Sequence, residues 1–290
     1  MSSAPIIKQL CVIGVGLIGG SFARALRQAN AVEKIVGYGR DPKHLEQAQQ
    51  LGVIDAFYTD IGAAVEHCDV IMVATPLGAM QTIFESLKPH LQSNMILTDV
   101  GSAKQSVVDA SVTVFGELLP NFVPGHPIAG TERGGVAASF AELFQQRRVI
   151  LTPHEKTNNS ALETVRQLWQ ACGAQVIDMQ ALHHDDVLAA TSHLPHMLAY
   201  TLVDTLARLD DKQEIFDYAA GGFRDFTRIA SSDPTMWHDI CAANREQLVK
   251  ILRVFHQDLQ RLTEAVEQGD SDFLKQTFTR AKQARDQFCG

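Results

Sequence analysis

The sequence predicts an α/β fold: a parallel sheet with covering helices over residues 1–178, followed by an all-helical domain over residues 179–290. Three observations carry this. Short β-branched runs alternate with amphipathic segments up to residue 178, as strands and crossover helices do. Beyond that point the strand signal stops, and apolar residues recur at helical spacing, as in Leu248, Ile251, Leu252, Phe255, Leu259 and Leu262. Finally, a glycine-rich turn at residues 14–19 stands between the first strand and the first helix, the order a nucleotide-binding βαβ unit requires.

Leu10–Ile13, Lys34–Tyr38, Val70–Ala74, Met95–Asp99 and Asn121–Pro124 read as strands, and Val149–Thr152 and Gln175–Asp178 as two more flanking a helix over Asn158–Cys172. With 290 residues, 46% of them hydrophobic, the chain has enough apolar material for two cores. A formal net charge of -8 and the lack of a Lys/Arg cluster argue against nucleic acid or an anionic membrane as partner, and favour small molecules. Cys11, Cys68, Cys172, Cys241 and Cys289 are odd in number and widely spaced, which suggests neither a disulfide framework nor a zinc ribbon. The apolar run Ile6–Ile18 is interrupted by Lys8, Gln9, Gly14 and Gly16, and is neither a membrane span nor a secretion signal, so a cytoplasmic location is expected. The broad apolar faces of the helical domain predict a homodimer formed through it, or packing of those faces on one another.

Gly14-Val15-Gly16-Leu17-Ile18-Gly19 is a dinucleotide-binding signature of the Rossmann type. Gly14 permits the tight turn, Gly16 the approach of a pyrophosphate and Gly19 close packing of helix on strand, while the amides from Leu17 and Ile18 onward open the helix toward the phosphates. At the end of the second strand, where an acid would bond the ribose hydroxyls, stand Gly39, Arg40 and Asp41. Arg40 favours a 2′-phosphate, hence NADP, whereas Asp41 lies close enough to leave NAD open.

Ligands of open parallel sheets sit beyond the carboxyl ends of the strands. Three turns fall there: Ala74-Thr75-Pro76, with Thr75 and Pro76 expected against the cofactor, Asp99-Val100-Gly101-Ser102, and Gly125-His126-Pro127. Pro127 keeps His126 out of a helix and is expected to present its imidazole from a loop as a general base. Ser102-Ala103-Lys104-Gln105 fits a capping box, and the serine is also placed to bond His126 or a substrate hydroxyl. Glu132 follows as an active-site gate or a solvated loop residue. In the helical half, Ser192-His193-Leu194-Pro195-His196 and the run Gly221–Ala230, with Gly222 and Arg228, supply His196 and Arg228 as anchors for a carboxylate. The bland alternatives are ion pairing of Arg228 with Asp225 or Asp233, and capping or core roles for His193 and His196. His183, His184, Asp185, Asp186, His193 and His196 invite a metal site, but Pro195 breaks the spacing and no cysteine joins them, so none is expected.

The motifs at 14–19, Asp99–Lys104, Gly125–Gly130, Ser192–His196 and Gly221–Ala230 together resemble the prephenate/arogenate (cyclohexadienyl) dehydrogenase family of tyrosine biosynthesis, over nearly the whole chain and in the same order. The resemblance implies NAD(P)-dependent oxidative decarboxylation of a small cyclohexadienyl acid, prephenate to 4-hydroxyphenylpyruvate or arogenate to tyrosine. By the same resemblance His126 takes the ring-hydroxyl proton, Ser102 bonds that hydroxyl or orients His126, His196 and Arg228 with the Gly222 segment bind substrate, and Glu132 gates the pocket. With the chain ending at Gly290, no ACT domain is expected, so any feedback by tyrosine would act in the active site. Two rival readings are a β-hydroxyacid dehydrogenase, disfavoured because Met179–Ala199 holds no lysine, and a non-catalytic NAD(P) sensor, which needs no base beside an anion site.

Overall fold

The computed structural model describes residues 4–288; Cys289 lies outside them. Six parallel strands, β1 (Ile7–Ile13), β2 (Val32–Tyr38), β3 (Ala56–Tyr58), β4 (Val70–Val73), β5 (Ile96–Asp99) and β6 (Phe122–Val123), pair in the order β3-β2-β1-β4-β5-β6. β3 escapes the sequence pattern because its three residues are too few to show alternation. The order reverses between β1 and β4, which opens a crevice at their carboxyl ends.

Period-two alternation sends Leu10, Val12, Val70 and Met72 into one core and Cys11, Ile13, Ile71 and Val73 into the other. The first core holds Phe22, whose ring lies 4.4 Å from that of Trp169 on the helix Asn159–Ala171. The second gathers Phe84, Val107 and Phe122 beneath the helices Met80–Leu87 and Gln105–Phe115.

β7 (Gly125–Pro127), β8 (Arg148–Leu151) and β9 (Gln175–Asp178) form a separate three-stranded sheet. β7 pairs antiparallel with β8, setting His126 opposite Ile150, and β8 runs parallel to β9. The expected loop at His126 is therefore a short strand. Pro127 enforces the extended backbone that a strand needs, and a Cβ at Gly125 would lie 3.2 Å from the Asp99 carbonyl oxygen, so glycine permits close approach to β5.

From Ala181 to Phe288 every regular element is helical. Ala181–Leu188 passes through a π-helical turn at Ala189–His193 into Leu194–Ala207, with Pro195 just after the π turn. By contact density the chain divides into Met1–Arg245 and Glu246–Gly290. The first helices of the α-rich half belong with the sheet because Asp185 and Asp239 bond to residues 104, 105 and 78. In the second unit the long helix ending at Gln268 turns at Gly269 (φ +68°) into Ser271–Phe288, with the Asp270 carboxylate capping the Phe273 amide. Among the described residues no helix is long and apolar enough to cross a membrane.

A Cβ on Gly19 would stand 2.5 Å from the Gly14 carbonyl oxygen and 2.7 Å from Val12 Cγ1. Gly19→Ala is expected to lower unfolding free energy by roughly 1–3 kcal/mol, the usual cost of overpacking, as read by urea denaturation; an unchanged midpoint would contradict this tight packing.

Candidate active site

The glycine-rich turn has the open geometry that a phosphate would need. Gly14 has φ +93°, and a Cβ there would lie 2.7 Å from the Ala74 carbonyl oxygen. Its amide bonds the Tyr38 carbonyl at 3.0 Å, fixing the turn to β2. Nothing lies within 4 Å of a Cβ position on Gly16, and the helix Leu17–Gln28 that starts there has no side-chain cap, which leaves its first amides without a side-chain acceptor among the described residues. Thr75 adds a buried hydroxyl with no hydrogen-bond partner among the described residues. These features fit a dinucleotide pyrophosphate. At the end of β2, Arg40 is exposed, whereas Asp41 spends one carboxylate oxygen on the Lys43 amide at 3.0 Å as helix cap. His44, not singled out by sequence, bonds the Val15 carbonyl from the other side of the turn at 2.9 Å.

Beyond β5 the chain buries a complete ion pair. Asp99 and Lys104 are fully buried and bonded to one another. Lys104 Nζ also donates to the Gly125 carbonyl at 2.8 Å, and Asp99 accepts from the amides of Gly101 (2.7 Å) and Gly125 (3.2 Å). Burial pulls the Lys104 pKa down while Asp99 pushes it back up. The pair thus clamps the strand that carries His126 against β5. The capping box expected at Ser102 is not formed: Lys104 is the N-cap residue, with helical backbone and no side-chain cap bond. The first amides of the helix Gln105–Phe115 go instead to Asp185, whose Oδ1 accepts from Lys104 N (2.8 Å) and Oδ2 from Gln105 N (2.9 Å).

His126 is 8% exposed, and its Nδ1 lies 2.9 Å from Nε2 of His184, whose Nδ1 in turn lies 2.8 Å from Asp185 Oδ1. Its partner is thus His184 rather than Ser102, which is half-buried. Burial holds the His126 pKa well below 6.5, with the charges of His184, Lys104 and His193 acting in the same direction. His184 is lowered too, chiefly by burial and against its bond to Asp185. Asn244 donates to the Asp185 carbonyl at 2.8 Å and contacts His193 Nδ1 at 3.1 Å.

His196 stacks on Trp237, with ring centroids 3.7 Å apart at 21°, and its Nδ1 donates to the Ser192 carbonyl at 2.8 Å. That leaves Nε2 as the free nitrogen, and burial lowers the pKa of the ring. Binding a carboxylate there requires the anion to draw a proton onto the ring. The Trp237 indole N–H is buried without a hydrogen-bond partner among the described residues. From the same helix, Pro234–Ala243, the Asp239 carboxylate accepts from the Gly78 amide at 3.1 Å, next to the turn carrying Thr75 and Pro76. Arg228 pairs with neither Asp225 nor Asp233 but with Glu132, bringing those two predicted residues together. Asp233 is occupied in capping Met236. Gly222 lies in the first turn of Gly221–Thr227, where a Cβ would meet nothing within 4 Å.

A family model described as prephenate dehydrogenase, nucleotide-binding domain, matches residues 22–178, and one described as prephenate dehydrogenase, dimerization domain, matches residues 180–280. The chain belongs to the prephenate dehydrogenase family. The cyclohexadienyl dehydrogenase of Zymomonas mobilis is 38% identical over 284 residues, spanning 97% of this chain and 96% of that protein. The prephenate dehydrogenase of Bacillus subtilis is 35% identical, spanning 96% of this chain and 75% of its own length. Among solved structures, prephenate dehydrogenase from Aquifex aeolicus in complex with hydroxyphenyl propionate and NAD+ superposes with TM-score 0.89 at 36% identity, covering 96% of this chain and 97% of that one. As a prephenate dehydrogenase family member, the chain is an oxidoreductase with a nucleotide-binding domain.

The site residues that sequence reasoning missed are Lys104, His184, Asp185, Trp237 and Asn244. His184 and Asp185 lie with Leu188 on the buried side of one helix, a polar pair on an apolar stripe. That placement is the available signal, although in the sequence alone their spacing reads only as that of possible metal ligands.

The three buried histidines also make the fold acid-sensitive. The unfolded chain takes up protons below about pH 6.5 that the native rings refuse, so stability falls as pH falls through this range. His193, 1% exposed and held at about 4 by burial, contributes a loss on the order of 3 kcal/mol between pH 6.5 and 4. Thermal denaturation should show Tm dropping across that interval; a Tm independent of pH there would contradict the burial of these rings.

Proposed function

We propose that the protein oxidatively decarboxylates a cyclohexadienyl acid, prephenate or arogenate, with His126 as the general base. The observation that carries this reading is a buried, neutral imidazole bonded at Nδ1 and free at Nε2, in a chain whose relatives act as prephenate, cyclohexadienyl and arogenate dehydrogenases. When bound, the dinucleotide supplies the hydride acceptor. His126 Nε2 accepts the proton of the ring hydroxyl as the carbon beneath it is oxidised. The resulting ketone is conjugated across the ring to the carbon bearing the carboxylate, so the C–C bond electrons flow to the oxygen as CO2 departs. His126 then returns its proton to that oxygen, and aromatisation makes the step irreversible. Ser102 is assigned to the ring hydroxyl, and Arg228, His196 and the Gly222 turn to the substrate's carboxylates. Glu132 holds the Arg228 guanidinium, which would exchange the Glu132 carboxylate for that of the substrate, and this suits Glu132 as a gate.

Residues 1–178 are assigned to the dinucleotide and 179–290 to substrate and dimerisation. The match to a dimerization domain and the exposure of Val254 (53%), Val266 (64%) and Phe278 (59%) support a homodimer. The unpaired cysteine pattern supports a cytoplasmic location. NADP is the favoured cofactor, since Arg40 is exposed and Asp41 is engaged as a helix cap.

With prephenate or arogenate, His126→Asn should lower kcat by roughly two to four orders of magnitude while dinucleotide affinity stays within a few-fold; an active His126→Asn enzyme refutes the assignment. Comparison of kcat/KM for the two dinucleotides should favour NADP, and Arg40→Ala should narrow the gap by weakening NADP alone. Better use of NAD by the wild type would reverse the cofactor reading.

A further inference from the structure

We propose that His184 is a positioning residue which, with Asp185, fixes the tautomer of His126 and holds its Nε2 as a bare proton acceptor. The inference rests on the role assigned to His126 above and names what prepares it.

The argument is an inventory of protons. Both oxygens of Asp185 receive backbone N–H groups, from Lys104 on Oδ1 and Gln105 on Oδ2. Each oxygen of this carboxylate thus already accepts an N–H at the amino end of the helix Gln105–Phe115, which leaves it the role of acceptor. An ionised carboxylate only accepts, so the 2.8 Å contact from His184 Nδ1 to Oδ1 carries its proton on the nitrogen. His184 is fully buried, which opposes a second proton on its ring. Its Nε2 is therefore a lone pair, and the 2.9 Å contact to His126 requires a proton on His126 Nδ1. The neutral His126 ring then has no proton left for Nε2. The state needed for abstracting a proton is thus imposed from the helix N-terminus, two side chains away.

The same chain stabilises the product of that abstraction. When His126 gains a second proton, its Nδ1–H donates to a lone pair backed by the Asp185 carboxylate. The other charged or titratable groups acting on the ring are Lys104, already bonded to Asp99, and His193, which burial keeps neutral. Lys104 opposes a charge on His126, and Asp185 acting through His184 is what offsets it.

Replacement of His184 by Leu removes the acceptor while keeping an apolar side chain in the buried position, whereas His184→Gln can present a carbonyl oxygen toward His126 and an N–H toward Asp185. The leucine variant should lose roughly 100-fold in kcat, with KM for substrate and dinucleotide within about threefold, and the acid limb of its kcat/KM profile should move to lower pH. The glutamine variant should recover at least about tenfold of the loss. A purely structural role would lower Tm without moving the pH profile. Independently of turnover, ¹⁵N side-chain spectra of the wild type at pH 7 should show His126 protonated at Nδ1 and bare at Nε2, and His184→Leu should abolish that preference. A His126 protonated at Nε2, or a leucine variant with unchanged kcat and pH profile, overturns the proposal. A wild type inactive on both substrates removes the proposed function alone, and the ¹⁵N spectra still decide the tautomer.

Discussion

The buried carboxylate of Asp185 makes the site possible. Taking an ionised carboxylate out of water costs several kcal/mol unless its oxygens are satisfied, and here three N–H groups from residues 104, 105 and 184 meet them. Each donor belongs to a part that the catalytic geometry needs: the Lys104 turn that anchors Asp99, the helix Gln105–Phe115, and the His184 ring beside His126. Because the carboxylate must collect all three, the sheet and the first helices of the α-rich half are not free to separate. This is why the first compact unit runs to Arg245 rather than ending at the last strand.

The helix Pro234–Ala243 extends that constraint toward both ligands. Asp239 receives the amide of Gly78 beside the nucleotide crevice, Trp237 stacks on His196, and Asn244 at its end reaches the Asp185 carbonyl and His193. One ten-residue helix thus fixes the edge of the dinucleotide site relative to the proposed carboxylate anchor. Arg228 and Glu132 stand outside this buried network, exposed and paired with one another, as befits groups that must exchange partners when a ligand enters.

Much of this was legible in the sequence. The parallel sheet followed from β-branched runs, the cradle from three glycines whose roles reduce to a turn, a gap and a close contact, and the helical half from 3.6-residue spacing. His126, Arg228 and Glu132 could be named because motifs flank them. What could not be read was tertiary pairing. The Ser102 sequence satisfies the local capping rule, yet a carboxylate 81 residues away from Lys104 caps the helix instead, because it can serve two amides at once. His126 was expected in a loop, since a three-residue strand pairing with β8 leaves no periodic trace. Lys104 and Asp185 look like ordinary surface charges in one dimension, and only burial against each other's neighbours reveals them.

On the proposed reading, these constraints serve one chemical act: a neutral base, His126, removes a hydroxyl proton from a substrate that also carries the departing carboxylate. Oxidation and decarboxylation should therefore be inseparable on this enzyme. The direct measurement is the stoichiometry of NAD(P)H formed, by absorbance, to CO2 released, from prephenate and from arogenate. The account predicts one CO2 for every NAD(P)H with an aromatic product. Reduction of the dinucleotide without matching release of CO2 would contradict it.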